Sequence, residues 1–73
     1  MKERGVWHDF DHENPENNGI EDGEQVVVLE KDYGINFLTY NETYQVFDDA
    51  EGDDFYCKFD QIEKYLLIPN IEN

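Results

Sequence analysis

This chain of 73 residues carries 19 Asp and Glu against 5 Lys and Arg, a formal net charge of −14. Its length allows one domain spanning residues 1–73 and no second one, because domains near this size bury only about 60% of the surface their unfolded form exposes. A surface this acidic repels nucleic-acid phosphates and anionic membranes and attracts cations and basic protein surfaces, over roughly 8 Å at physiological ionic strength.

The first residues contain no apolar run of the signal-peptide kind, and nowhere do 18 consecutive apolar residues occur. From Trp7 through Glu24 the chain carries Asp9, Asp11, Glu13, Glu16, Glu21, Asp22 and Glu24 with no Lys or Arg, and Pro15, Gly19 and Gly23 mark residues 8–24 as a long acidic loop. The β-branched run Val26, Val27, Val28, followed by Leu29, predicts a strand over Gln25–Lys31, too short for a helix and bounded by Gly23 and the Asp32-Tyr33-Gly34 turn. Ile35–Tyr40 alternates Ile35, Phe37 and Thr39 with Asn36, Leu38 and Tyr40, and the short Gly-containing connection predicts an antiparallel hairpin with the preceding strand. A turn at Asn41-Glu42 then leads to a third strand over Thr43–Phe47.

A second acidic cluster, Asp48, Asp49, Glu51, Asp53 and Asp54, surrounds Gly52. After it, Asp54–Phe59 reads as a strand with Phe55, Cys57 and Phe59 on one face. In Gln61–Pro69, Ile62, Tyr65 and Leu66 keep helical spacing, but Tyr65–Ile68 is a compact apolar run and Pro69 forces an extended residue before it, so a strand is expected. The expected fold is mainly β: a small antiparallel sheet, a meander of four or five strands with acidic loops and little or no helix.

Acidic chains are often disordered, and the test is whether enough large apolar side chains exist to offset the ordering entropy. Leu, Ile, Val and Phe make up 19 of 73 residues, above the roughly 20% below which disorder becomes the default, and eleven aromatic residues add to the core. The single cysteine, Cys57, allows no intrachain disulfide, which points to an intracellular, cytoplasmic protein.

No motif names a reaction. His8, Asp9, Asp11 and His12 are metal-ligand types, but no Cys or third His lies near, and in an extended loop the two imidazoles stand too far apart for one ion. Asp9, Asp11 and Glu13 match positions one, three and five of a calcium loop, yet Asn14 replaces its glycine and Ile20 its bidentate Glu. Cys57 alternates with Phe55 and Phe59 among acids that oppose a thiolate, so it reads as a buried structural residue. No phosphate-binding glycine loop occurs. The chain is therefore expected to be non-catalytic, with no cofactor and no metal.

Trp7, Pro15-Glu16, Gly23, Val26-Val27-Val28 and the closing Ile62–Pro69 segment together resemble a family of short domains of unknown function found widely in bacteriophages and prophages. Tyr65 stands where that family has Trp, and Lys64 where it has His. The resemblance implies a small antiparallel sheet and a phage or mobile-element setting, with no catalytic residues to carry over.

The functional expectation is a protein-binding module whose two acidic clusters dock on a basic surface, including one that normally holds nucleic acid. B-DNA carries one charge per roughly 1.7 Å of axis, and fourteen charges on a domain about 30 Å long approach that density. The partner-binding residues are then Asp9, Asp11, Glu13, Glu16, Glu21, Asp22, Glu24, Asp48, Asp49, Glu51, Asp53 and Asp54. The alternative is an accessory domain that self-associates through its sheet, its acidity serving solubility alone.

Overall fold

A computed structural model describes residues 3–49 and 56–69. Among them are six strands: β1 (Trp7–Asp9), β2 (Gln25–Glu30), β3 (Gly34–Asn41), β4 (Val46–Asp48), β5 (Tyr56–Lys58) and β6 (Ile62–Leu67). They form one antiparallel sheet in the order β1-β6-β2-β3-β4-β5. Short 3-10 turns at Pro15–Asn18 and Phe59–Gln61 are the only helical elements among the described residues. The mainly β reading holds, but the meander covers only β2 to β5. The last strand returns to pair with β2, so that β2 is a central strand.

The Val run of β2 fits this place, because a strand flanked on both sides packs β-branched side chains against two neighbours. Val26 and Val28 are fully buried on one face. Directly opposed residues of antiparallel strands share a face, so the register carries the same inner face to Leu38 of β3 and to Tyr65 and Leu67 of β6. It extends to the Tyr40–Phe47–Cys57 rung across β3, β4 and β5. The sheet curls around this face. Phe10, just past edge strand β1, stands edge-on to Phe47 and to Phe59, which follows the opposite edge strand β5, with ring centroids 5.4 and 5.3 Å apart.

Three expectations need correction. His8 and Asp9, expected in the loop 8–24, belong to the strand Trp7–Asp9: Trp7 faces out, His8 in, Asp9 out and Phe10 in. The polar His8 at an inner position and the exposed Trp7 at an outer one hid this alternation. The third strand begins at Val46, not Thr43, after a turn through Glu42–Gln45. Asn41 lengthens that turn, its Oδ1 accepting from the Tyr44 N–H at 3.1 Å while its Nδ2 donates to Asp48 Oδ2 at 2.9 Å. The strand expected over Asp54–Phe59 is found at Tyr56–Lys58; residues 54 and 55 lie outside the described residues, and Phe59 starts a 3-10 turn while remaining buried.

The loop between β1 and β2 covers the inner face. Its anchor is Asn18, 1% exposed. The Asn18 Oδ1 accepts from the Asp11 N–H at 2.9 Å, and its Nδ2 donates to the Asp11 and Pro15 carbonyls, each at 3.0 Å. The Tyr65 hydroxyl donates to the Asn18 carbonyl at 2.6 Å. Gly19 then turns the chain with φ of 73°, a left-handed conformation that favours glycine. Replacing Asn18 with Ala leaves buried backbone groups without partners. We expect Asn18→Ala to cost about 2 kcal/mol in urea unfolding; a loss below about 0.5 kcal/mol would mean that the loop is not held this way.

Glu30 ends β2 on the inner face at 1% exposure. Its Oε2 accepts from the backbone N–H groups of Asp32 and Tyr33, closing the β2–β3 turn. The neighbouring rung is irregular: Leu29 opposes Lys64 but Glu30 opposes Ile62, which leaves Glu63 as the extra residue of a β-bulge.

Candidate functional site

The acidic residues of the first cluster divide among three places. Asp9 lies on the outer face of β1, where the Lys64 ammonium on β6 donates to its Oδ1. That contact holds the Asp9 carboxyl below its ordinary range, first through the hydrogen bond and then through the charge of Lys64. Asp11 opens the covering loop, its Oδ1 accepting from the Asn14 and Glu13 N–H groups at 3.0 and 3.2 Å. The Asn14 hydrogen bond is the main cause of its lowered pKa. Glu13 is exposed on the same loop.

The third place gathers charge from distant parts of the chain. Glu21, Asp22 and Glu24 lead into β2, and backbone hydrogen bonds of 2.8 Å from Gly23 N–H to Tyr40 carbonyl and from Tyr40 N–H to Glu24 carbonyl bind this segment to the end of β3. Asp22 Oδ1 accepts from the Glu42 N–H at 2.9 Å, which brings Glu42 beside it. The Tyr40 phenol has its pKa raised, by burial first and then by the carboxylates of Glu42, Glu16 and Asp22. Glu16, in the 3-10 turn of the covering loop, acts on the same phenol. Arg4 offsets part of the charge, its Nη1 donating to Glu24 Oε2 at 3.1 Å and to the Ile68 carbonyl at 2.9 Å.

Of the second cluster, Asp48 is on β4, opposite Thr39, one rung from the Tyr40 position that Glu24 adjoins. Two strand spacings of about 4.8 Å separate the Asp48 and Glu24 backbones across β3, and the alternation of Thr39 and Tyr40 turns the two side chains to opposite faces. Asp49 follows Asp48, half-buried, and Glu51, Asp53 and Asp54 lie outside the described residues. Sequence reasoning missed Glu42, an isolated acid in a turn, because only the length of β3 carries it to Asp22. It also missed Arg4, whose partner is twenty residues away.

The two histidines occupy different surroundings. His8 stands with its ring 5.3 Å from that of Tyr65 and its Nε2 2.6 Å from the Glu3 carbonyl, while His12 lines an open hollow with Tyr44, Lys58 and Asp60. Among the described residues no group of three or more His, Cys, Asp and Glu side chains gathers in a way that could hold a metal ion. Cys57 is 1% exposed, and its thiol is pushed up to about 11, by burial first and then by the Glu30 carboxylate.

The outer face of the sheet is a different surface. Trp7 opposes Leu66, Leu66 opposes Val27 and Val27 opposes Phe37, an apolar row directly across β1, β6, β2 and β3. The next rung runs Asp9–Lys64–Leu29–Ile35, and on the other side Gln25–Thr39–Asp48–Tyr56. Trp7, Phe37 and Ile35 are 42, 54 and 65% exposed. The charged side chains on the outward rungs are Asp9 and Asp48 with Lys64 and Lys58, two of each sign.

Among the described residues no helix is long and apolar enough to cross a membrane. No protein-family model matches this chain, and neither a curated protein nor a solved structure matches it significantly.

Proposed function

We propose that this protein is a non-catalytic binding module whose acidic end, built from Glu16, Glu21, Asp22, Glu24 and Glu42, docks on a basic protein surface. The observation that carries this reading is the convergence at one end of the sheet: Asp22 holds the Glu42 backbone, and the carboxylates of Glu42, Glu16 and Asp22 all act on the Tyr40 phenol. Like charges repel, and their assembly on rigid strand ends costs stability that a cationic partner offsets. A partner that normally holds nucleic acid suits the charge density, and inhibition of a host nucleic-acid enzyme suits the resemblance to phage-encoded domains.

Asp9 and Asp11 contribute less to this surface than their place in the first acidic cluster suggests. Asp9 is already paired with Lys64, and Asp11 is engaged in its own loop. The test uses an Arg-rich peptide as probe and a variant carrying Glu21→Gln, Asp22→Asn and Glu42→Gln. These changes remove three charges and keep every side-chain oxygen that accepts a backbone N–H. Binding of the peptide, measured by calorimetry, is expected to weaken about tenfold. A variant that binds as tightly as the parent would sink the reading.

A further inference from the structure

We propose that the outer face of the sheet is a self-association surface, on which a second copy of this chain docks face to face through the row Trp7, Leu66, Val27 and Phe37. Cross-strand neighbours on one face sit about 5 Å apart, so these four side chains form a continuous apolar band four strands wide. Leu29 and Ile35 broaden it on the next rung. The chain's single tryptophan lies at one end of the row.

Charge identifies the occupant. On a chain of net charge −14, this face carries two acids and two bases on its paired rungs, and Lys64 and Asp9 already neutralise each other. A cationic partner is drawn to the acidic end or to the loop bearing Asp11 and Glu13, and finds no excess of negative charge here. A locally neutral apolar face is complementary to another of its kind, and the chain supplies one in its second copy. The covering loop packs on the opposite side of the sheet, where Asn18 anchors it to Tyr65. Its carboxylates therefore lie on the far side of the molecule from the contact.

The geometry also suits a twofold pair. Two sheets stack about 10 Å apart with interdigitated side chains, and a twofold axis makes the contact self-complementary. Such an axis lays Trp7 of one copy over Phe37 of the other and Leu66 over Val27. Edge-to-edge pairing has less to offer, because β1 and β5 are three residues each. Six strands about 4.8 Å apart and about 20 Å of outward side chains give a projected area of roughly 500 Å², below the roughly 800 Å² per partner of a standard interface. The expected dimer is therefore weak and concentration-dependent.

The test is sedimentation velocity of the full chain over a concentration series at about 50 mM and about 500 mM NaCl, with Trp7 fluorescence read in parallel. Screening of the overall repulsion is expected to tighten the dimer about tenfold at the higher salt, with a blue shift of Trp7 emission over the same concentrations. Phe37→Lys changes an exposed side chain and lowers the net negative charge, yet it is expected to weaken association more than tenfold. Glu13→Lys makes a larger charge change on the covering loop and is expected to retain or strengthen it. The variant with Glu21→Gln, Asp22→Asn and Glu42→Gln also retains it, which separates this surface from the acidic end. A monomer at every concentration and salt, a Phe37→Lys variant that associates like the parent, or a dimer with unchanged Trp7 emission would overturn the proposal.

Discussion

Phe47→Ala is expected to remove most of the chain's folding stability at room temperature. Phe47 is fully buried at the meeting point of the curled sheet, its ring 5.4 Å from both Phe10 and Phe59 and 5.5 Å from Tyr40. These contacts tie β4 to both ends of the sheet. Removing a buried Phe side chain costs about 3–5 kcal/mol, through lost burial and the cavity left behind. Domains are stable by only about 5–15 kcal/mol, and one of this size sits toward the lower end. Loss of near-ultraviolet circular dichroism and of a cooperative thermal transition is the expected readout. Phe47→Leu, which keeps much of the volume, is expected to fold with a lowered melting temperature. A Phe47→Ala protein melting within a few degrees of the parent would show that the rings at Phe10 and Phe59 do not depend on it.

The second large effect is expected in alkali. Cys57 holds its proton up to about pH 11 in the folded chain against an ordinary value near 9, because burial and the Glu30 carboxylate disfavour the thiolate. Tyr65 is raised by burial, and Tyr40 by burial and by the carboxylates around it. In each case the unfolded chain loses its proton at lower pH than the folded chain. Stability from these groups is therefore complete below about pH 9 and falls as pH rises through the folded values. For Cys57 alone the shift corresponds to up to about 3 kcal/mol. Urea midpoints between about pH 8 and pH 11 should drop steeply, and Cys57→Ala should flatten the pH dependence while lowering stability at pH 8. A parent protein equally stable across that range would contradict the burial of these groups.

The elements legible in the sequence were those set by local pattern. Val26–Leu29 and Ile35–Tyr40 carry both their strand character and their pairing in adjacent residues and a short turn, and the alternation that put Leu38 with Tyr40 also selects the buried face. What remained hidden depends on distant contacts. The return of Ile62–Leu67 to β2 decides which strand is central, and no local pattern encodes that choice. Trp7–Asp9 becomes a strand only because β6 provides a partner, with Trp7 opposite Leu66. In the sequence Asn18 is one of three asparagines in the loop, with Asn14 and Asn17. Its role follows from the hydrogen bonds that only the folded loop presents to it.

The candidate site was legible in composition and hidden in arrangement. Counting acids finds two clusters, but the fold redistributes them: Asp9 goes to an ion pair on the outer face, Asp11 and Glu13 to the covering loop, and Glu21, Asp22 and Glu24 join Glu16 and Glu42 at the end of β3. The same fold leaves the outer row from Trp7 to Phe37 almost free of net charge. One small sheet thus separates an electrostatic surface from an apolar one.

Salt tests that separation most directly, because the two surfaces respond to it with opposite signs. Log affinity for the Arg-rich peptide, measured against log salt on the full chain, is expected to fall steadily while the chain's own association strengthens over the same range. Peptide binding that salt leaves unchanged, or peptide binding and self-association that weaken together, would contradict the account.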